Sequence, residues 1–287
     1  MPTEVPTAVL LLSAPDRPGL VHAAAAFVLA HGGNVVAAEQ HVDTDSGVFF
    51  QRIEFETGAL GREVAAAFAP VAAEFGFTAD IRYRQDRLKL ALMASREPHV
   101  LSDQLMRYRA GELPADVVAV ISNHPDHADL AAFCGVDYHH LPVTPGDTDG
   151  KAEQERAVLA VLERTGTDLV VMARYMQILT PTLLDPYAGR IINIHHSFLP
   201  AFAGARPYRQ AHRRGVKLIG ATAHYATADL DEGPIIAQDV IPVSHRDGVA
   251  DLVRHGRDLE TVVLARAVRA HLEHRTLVHG AKTIVFA

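Results

Sequence analysis

Three polar residues in the second half of the chain are of the types that enzymes use for acyl chemistry. Asn193 and His195 are two positions apart in residues 191–195, an apolar run that predicts a β-strand. Side chains in a strand alternate between its two faces, so these two project to the same face. Asp231 belongs to an acidic turn, residues 230–234, between two further predicted strands. We therefore expect an amide, an imidazole and a carboxylate to meet at one site.

The three groups together suit chemistry at a formyl carbon. The Asn193 amide can donate a hydrogen bond to a carbonyl oxygen and to the oxyanion that develops from it. The His195 imidazole can transfer protons near neutral pH. A neighbouring Asp231 carboxylate would favour the imidazolium and fix the orientation of its ring. Singly, each residue is better explained as a strand cap, a hydrogen-bonded core histidine or a turn residue, and only their joint occurrence favours catalysis.

The elements that must position these residues form a predicted parallel α/β sheet. Its strands are continuous apolar runs separated by helical stretches, which is typical of a sheet covered on both faces. Open α/β sheets bind ligands at the carboxyl ends of their strands, where Asn193 and His195 lie. The predicted strands are residues 88–94, 117–121, 168–172, 191–195, 218–225 and 234–241, and the predicted helices are residues 99–109 and 249–275.

Residues 7–84 show a different alternation. The order β-α-β-β-α-β predicts a ferredoxin-like sandwich with two helices on one face of its sheet. A charged stretch with few apolar residues follows, and we place a domain boundary in it near residue 86. The predicted strands are residues 8–12, 35–42, 48–55 and 78–84, and the predicted helices are residues 20–30 and 60–75.

Length and composition exclude several classes of protein. A chain of 287 residues favours about two domains. Acidic residues outnumber basic ones by 34 to 27, and a net charge of -7 argues against a nucleic-acid binder. Hydrophobic residues make up 48% of the chain and charged residues 21%, which argues against disorder.

The chain also has features of a soluble cytoplasmic protein. Its single cysteine, Cys134, cannot form an intramolecular disulfide, which favours a reducing compartment, and its apolar surroundings favour a buried side chain over a nucleophile. The first ten residues lack the basic flank and long apolar core of a signal peptide. The apolar stretch at residues 23–30 is far shorter than the roughly 20 residues that span a bilayer.

No nucleotide, hydrolase or metal motif accompanies the three polar residues. The chain lacks G-x-G-x-x-G after a strand, G-x-x-x-x-G-K-[ST] and G-x-S-x-G. The 17 histidines include several close pairs, but none has the H-E-x-x-H or Cys/His spacing of a zinc site. We therefore expect no metal and no cofactor.

The second domain contains six segments with the pattern of a known family, namely residues 192–200, 195–202, 204–208, 220–225, 230–234 and 256–260. They resemble the folate-dependent formyl-transfer enzymes, and most closely their formyltetrahydrofolate deformylase branch. The likeness covers almost the whole chain, and residues 7–84, with the turn at 16–20, resemble the small-molecule-sensing ACT domain that these deformylases carry. The resemblance implies an α/β chain with an ACT domain over residues 1–85 and a Rossmann-like, mostly parallel formyltransferase-type domain over residues 86–287.

The resemblance also implies a reaction and the residues for it. The reaction is hydrolysis of 10-formyltetrahydrofolate to formate and tetrahydrofolate, which supplies formate for purine biosynthesis and balances one-carbon folate pools. Asn193 would hold the formyl oxygen, His195 would be the general acid or base, and Asp231 would sustain the charged imidazole and help to position water. Gln177 stands where many relatives carry a basic residue. The implied substrate-binding residues are Met176, Gln177, Ile178, Leu179, His196, Ser197 and Ala228.

Two alternatives remain beside hydrolysis. One is a formyltransferase with an amine acceptor. Transferases that use a ribonucleotide carry a Gly-Ser-Asn phosphate loop after the first strand, whereas residues 93–99 here lack the glycine and include Glu97. A phosphate needs close approach to backbone N–H groups, and Glu97 would repel it, so water is favoured as the acceptor. The other alternative is an amino-acid-sensing binding protein with a vestigial second domain, which the intact Asn193, His195 and Asp231 argue against.

The first domain contains a candidate effector site. The turn Asp16-Arg17-Pro18-Gly19 starts the first predicted helix, with proline near the first helical position. The resemblance implies that Asp16, Arg17, Gly19 and Leu20 hold the carboxylate of a small amino acid at the helix N-terminus. ACT domains commonly pair edge to edge, which buries exposed strands. We expect a homo-oligomer whose activity responds to an amino-acid effector.

Overall fold

A computed structural model describes residues 6–144, 146, 148–201 and 207–287. The chain divides into two compact units, the first up to Arg87 and the second from Leu88 to Leu272. Two short C-terminal segments, Glu273–Leu277 and Ile284–Ala287, belong to the first unit, although the sequence analysis assigned them to the second domain. Parts of two motif segments, at residues 202–206, lie outside the described residues.

The first unit is the predicted ferredoxin-like sandwich. Its four strands form an antiparallel sheet in the order β2-β3-β1-β4, which confirms the fold class. The bounds are β1 Thr7–Pro15, α1 Leu20–Ala30, β2 Asn34–Asp43, β3 Val48–Glu56, α2 Val64–Phe75 and β4 Thr78–Tyr83. The helix predicted from residue 60 begins four residues later, because Gly58 and Gly61 both adopt positive φ and a short 3₁₀ turn occupies the space between the strand and the helix.

Strand β1 is buried on both faces, which explains its unbroken apolar run. Leu10 and Leu12 pack with α1 and α2, whereas Val9 and Leu11 pack on the opposite face with Phe286. The other C-terminal segment of this unit, Glu273–Leu277, is held to the sheet by Arg52 of β3, whose Nε donates to the His274 carbonyl oxygen at 3.0 Å. The predicted helix through residue 275 ends at Leu272, and His274 beyond it adopts a φ of 54°.

The second unit has a seven-stranded sheet in the order β11-β10-β9-β8-β5-β6-β7. Strands β5 to β9 are parallel, and β10 and β11 are antiparallel, which confirms the mostly parallel prediction. The bounds are β5 Leu88–Ala94, α3 His99–Arg109, β6 Ala115–Ser122, α4 Ala128–Phe133, β7 Tyr138–His140, α5 Thr148–Thr165, β8 Leu169–Ala173, α6 Pro181–Leu184, β9 Ile191–His195, α7 Pro207–Arg214, β10 Leu218–Tyr225, β11 Ile235–Pro242 and α8 Val249–Leu272. After α8, β12 Thr276–His279 and β13 Lys282–Val285 form a separate two-stranded sheet, and each has residues in the first unit.

Helices cover both faces of this sheet. Leu90 and Leu92 of β5 face a core that α3 and α8 complete, and Ala91 and Met93 face a second core with α5. Side chains of one strand therefore enter both cores, as its continuous apolar sequence predicts. This packing fixes the carboxyl ends of β5, β8 and β9 along one edge, where the polar residues of interest lie. Among the described residues, every helix is too short or too polar to cross a bilayer.

Candidate active site

His195 and Asp231 are hydrogen-bonded to each other at the carboxyl end of β9. The His195 Nδ1 atom lies 3.1 Å from Asp231 Oδ1, and the two side chains are only 6% and 10% exposed. Because the carboxylate can only accept, Nδ1 donates the hydrogen bond. The other ring nitrogen, Nε2, is buried and has no hydrogen-bond partner among the described residues. The pair therefore leaves one imidazole nitrogen available for a substrate.

The turn between β10 and β11 brings Asp231 to this position. Asp231 itself has a left-handed φ of 60°, which short polar side chains tolerate better than most. Two residues on, a Cβ atom at Gly233 would lie 1.7 Å from the Tyr225 carbonyl oxygen. No side chain fits there unless the turn moves, and the turn is closed by a hydrogen bond from the Tyr225 N–H to the Pro234 carbonyl oxygen. The predicted acidic turn thus depends on glycine for its close approach to β10.

Asn193 is oriented by a residue that the sequence analysis did not single out. In the antiparallel pairing of β9 with β10, Asn193 lies opposite His224. The Asn193 Nδ2 atom is 3.3 Å from His224 Nε2, and His224 Nδ1 is 2.9 Å from the Tyr225 carbonyl oxygen. That carbonyl accepts a hydrogen bond from Nδ1–H, so neutral His224 accepts a hydrogen bond at Nε2 from the Asn193 amide. One amide N–H is held in this way, and the second can serve a ligand.

The charges around Asp231 are unevenly distributed. Burial raises the pKa of Asp231, but the hydrogen bond and charge of His195, with smaller effects of His224 and His196, outweigh burial and hold this pKa below its usual value. Burial lowers the pKa of His224. Burial and then the charge of Arg174 lower the pKa of His196 to about 4. At neutral pH an ionised carboxylate therefore lies among His195 and two uncharged imidazoles.

A cavity of about 750 Å³ contains all three catalytic candidates, Asn193, His195 and Asp231. Four of the predicted substrate-binding residues line it as well, namely Met176, Gln177, Ile178 and His196. The side chains at 176 and 178 are 55% and 65% exposed, so they are not core residues.

The remaining predicted pocket residues lie elsewhere. Leu179 and Ala228 line a smaller adjoining cavity that Asn193 and Asp231 also border. Ser197 lines a different, apolar cavity of about 310 Å³, and its hydroxyl donates to the Ala201 carbonyl oxygen at 2.7 Å. The structure therefore brings six of the seven predicted substrate-binding residues to the catalytic cavities and leaves Ser197 out.

A buried carboxylate forms the other side of the large cavity. The sequence analysis gave it no role, although it ends the matching segment at residues 256–260. Glu260 of α8 is fully buried, and it accepts hydrogen bonds from His99 Nε2 at 2.8 Å and from the Tyr208 hydroxyl at 2.6 Å. Burial raises the pKa of Glu260, but His99, the charge of Arg174 and Tyr208 outweigh it and leave this pKa lowered. Gly256 lies one helical turn earlier in α8, and because it has no side chain it leaves room for the Tyr208 ring and hydroxyl.

The loop after β5 differs from our expectation in one respect. Glu97 does not present a free negative charge, because its carboxylate is 2.5 Å from Arg257 Nη2. The two charges offset each other, so repulsion of a phosphate by Glu97 is weaker than we expected. The absence of glycine from residues 93–99 is unaffected by this pair.

The effector candidates lie together at the start of α1 in the first unit. Gly19 has a φ of 98°, and Leu20 is buried in the core. Asp16 is exposed, and its N–H donates to the Gly47 carbonyl oxygen at 2.8 Å. Arg17 donates from Nη2 to the Glu74 carbonyl oxygen at 3.2 Å, so its side chain is engaged with the end of α2. Within the described part of the chain, no group of three or more metal-ligating side chains could hold an ion.

Comparisons with known proteins agree with this architecture. Residues 88–268 match the formyl transferase family, and residues 8–64 match the ACT domain. A formyltetrahydrofolate deformylase of Synechocystis is 52% identical, over 98% of this chain and 99% of the relative. The crystal structure of such a deformylase from Pseudomonas syringae has a TM-score of 0.95 at 46% identity and covers 99% of this chain and 96% of its own. A glycinamide ribonucleotide transformylase from Symbiobacterium toebii has a TM-score of 0.66 at 33% identity and covers 70% of this chain and 95% of its own.

We expect the substitution Gly256→Ala to destabilise the second unit. Alanine normally favours a helix interior by about 1 kcal/mol over glycine. Here its Cβ would lie 1.9 Å from the Tyr208 hydroxyl, which must then leave Glu260. Loss of that buried hydrogen bond, together with the overpacking, should lower the free energy of unfolding by on the order of 2 kcal/mol, measured by urea denaturation.

Gly248→Ala is the matched control for this test. At Gly248 a Cβ would meet only Asp251 Oδ2, at an ordinary 3.7 Å. An unfolding midpoint for Gly256→Ala at or above that of Gly248→Ala would contradict the packing argument.

Proposed function

This chain belongs to the formyl transferase family and, within it, to the formyltetrahydrofolate deformylases, and from that premise we propose how it hydrolyses 10-formyltetrahydrofolate. The products are formate and tetrahydrofolate. The observation that carries the mechanism is the hydrogen bond of 3.1 Å between His195 Nδ1 and Asp231 Oδ1, beside Asn193 in one cavity.

In the proposed first step, water adds to the formyl carbon. A C–O bond forms, the carbonyl electrons move to oxygen, and His195 Nε2 takes the proton that the water loses. The N–H of Asn193 that His224 leaves free donates to the developing oxyanion. Removal of one such donor costs about 10² to 10³ in rate in other enzymes.

In the proposed second step, the tetrahedral intermediate collapses. The oxyanion electrons re-form the carbonyl as the bond between the formyl carbon and N10 of the folate breaks, and the imidazolium of His195 returns its proton to that nitrogen. The formic acid that leaves loses its remaining acidic proton to water and becomes formate. Asp231 stabilises the imidazolium between the two steps and helps to position the water. The lowered pKa of Asp231 keeps it ionised for this role at neutral pH.

Water as the acceptor, rather than an amine, is supported by two observations. The relatives that match nearly the whole chain are named as deformylases. The loop at residues 93–99 has no glycine through which a phosphorylated amine could approach the backbone. The formyltransferase alternative would require an amine for turnover, and the assay below separates the two.

Incubation with 10-formyltetrahydrofolate and no amine should yield equal amounts of formate and tetrahydrofolate. His195→Ala and Asp231→Asn should each reduce kcat on the order of 10²- to 10⁴-fold, because proton transfer or its electrostatic support is lost. Asn193→Ala should reduce it about 10²- to 10³-fold.

The control for Asp231→Asn is Glu232→Gln, the same change at the exposed neighbouring residue, which should retain activity. Near-normal turnover in Asp231→Asn, or no formate without an amine in the wild-type chain, would refute the mechanism or the reaction respectively.

We also expect Gly233→Ala to lower kcat about 100-fold. The added Cβ must push the turn away from the Tyr225 carbonyl oxygen, and Asp231 moves with it. A displacement of about 1 Å in a catalytic group can cost this much. Stopped-flow release of tetrahydrofolate measures the effect, and wild-type kcat in Gly233→Ala would show that the turn position is unimportant. Gly248→Ala serves as the control once more.

We propose that the first unit binds a small amino acid at the turn formed by Asp16, Arg17, Gly19 and Leu20. The backbone N–H groups at the start of α1 suit a carboxylate. Strand β2 is an edge of the antiparallel sheet, and we propose that such edges pair in a homo-oligomer.

Calorimetry with each common amino acid should reveal a ligand that also changes the rate of hydrolysis. Gly19→Ala should abolish the heat of binding of that ligand, because alanine disfavours the φ of 98° found at position 19. Gly135→Ala, at a φ of 73° in the second unit, is the control and should bind normally. Absence of heat and of any rate effect with all amino acids would rule out the effector.

The wider role that we propose is supply of formate to purine biosynthesis and adjustment of one-carbon folate pools. Both follow from the likeness of the chain to formyltetrahydrofolate deformylases. We place the enzyme in the cytoplasm, since its one cysteine suits a reducing compartment.

A further inference from the structure

Arg174 has an unusual backbone conformation next to the catalytic cavity. It follows β8 directly, and its φ of 65° lies in the left-handed region that disfavours residues other than glycine. Residues held in such conformations cluster at functional sites, because the surrounding structure must impose them. Arg174 was not among the residues that the sequence analysis selected.

The Arg174 guanidinium is buried without a full set of hydrogen bonds. Its side chain is 14% exposed, and neither Nε nor Nη1 has a hydrogen-bond partner among the described residues. The nearest carboxylate oxygen, Glu260 Oε2, lies 3.6 Å from Nε, which is too long for a hydrogen bond. Both oxygens of Glu260 are already bonded, one to His99 and one to Tyr208. The guanidinium therefore has a donor, Nη1, that no described protein group uses.

Arg174 is also the buried cation of the cavity that contains Asn193 and His195. Arg257 lines the same cavity, but its Nη2 is hydrogen-bonded to Glu97. Arg174 is also beside a carboxylate, that of Glu260 at 3.6 Å, but its Nη1 keeps a donor that no described group accepts. Arg209 lines the cavity too, but its side chain is exposed, which weakens its attraction for an anion through solvent screening. The adjacent His196 is uncharged at neutral pH and so adds no competing positive charge.

We propose that Arg174 binds formate, the carboxylate that the proposed reaction releases in this cavity. A carboxylate oxygen would accept a charge-assisted hydrogen bond from the buried Nη1–H. The inference rests on the proposed function for the identity of the anion, but the site itself is defined by Arg174. Another carboxylate could come from the glutamate tail of the folate. Formate is favoured because the guanidinium is buried, and a three-atom anion reaches it more readily than the end of a long tail.

The test is a titration of ¹³C-formate with the folded chain and no folate, followed by NMR. A ligand of three non-hydrogen atoms binds no more tightly than about 1 mM. We expect the wild-type chain to bind formate in the low millimolar range. Arg174→Gly should weaken binding at least tenfold, and Arg174→Lys should weaken it several-fold. Arg209→Ala removes one positive charge from the same cavity and should bind formate within twofold of wild type.

Glycine suits the backbone at this position, so Arg174→Gly should fold, and circular dichroism checks this. Arg174→Asn, another residue that tolerates positive φ, is the second variant if glycine proves too flexible. Equal formate affinity in wild type and either folded variant would overturn the proposal. The proposal would also be overturned if the wild-type chain bound no formate at a formate concentration 50-fold above about 1 mM.

Steady-state kinetics separate the two carboxylate sources. If formate is the ligand, it should inhibit wild-type hydrolysis, and Arg174→Gly should lose that inhibition. If Arg174 instead binds the folate tail, Arg174→Gly should raise KM for the intact substrate and not for one that lacks glutamate, with formate inhibition unchanged. That second result would overturn the formate site. Because the NMR titration needs no turnover, a failure of hydrolysis would be distinguishable from a failure of the site.

Discussion

The hydrogen bond between His195 and Asp231 is the constraint on which the rest of the site depends. A carboxylate that is 10% exposed needs a strong partner, because burial alone favours its neutral form. The pairing requires the turn after β10 to approach that strand so closely that only glycine fits at position 233. It also requires a left-handed residue at Asp231. A local backbone arrangement is thus what places the Asp231 carboxylate beside the carboxyl end of β9.

The antiparallel pairing of β10 with β9 determines which residue lies opposite Asn193. If β10 were parallel to β9, its own carboxyl end would lie beside that of β9. Because it is antiparallel, residues opposite each other pair directly, and His224 faces Asn193. His224 then accepts from the amide only while it is neutral, and burial keeps it so by lowering its pKa. The orientation of the Asn193 amide therefore depends on a histidine that carries no proton at Nε2.

The sequence predicted the fold class, most strands and the three central residues, because each depends on local patterns. Alternation within one strand was enough to place Asn193 and His195 on one face. His224 was missed because its role depends on the register between two strands, which no short motif specifies. Glu260, His99 and Tyr208 were missed because they converge from three separate elements. The helix predicted to reach residue 275 ended early for a conformational reason, the positive φ of His274, which its amino-acid type does not reveal.

Arg174 links the two sides of the cavity electrostatically. Its charge stabilises ionised Glu260 on one side, and on the other it disfavours a proton on His196. The ring centroid of His196 is 5.0 Å from that of His195, so a charged His196 would place a second positive charge close to Asp231. Uncharged His196 leaves Asp231 hydrogen-bonded to His195 without that second charge nearby. Arg174 therefore influences the protonation of groups on both sides of the cavity.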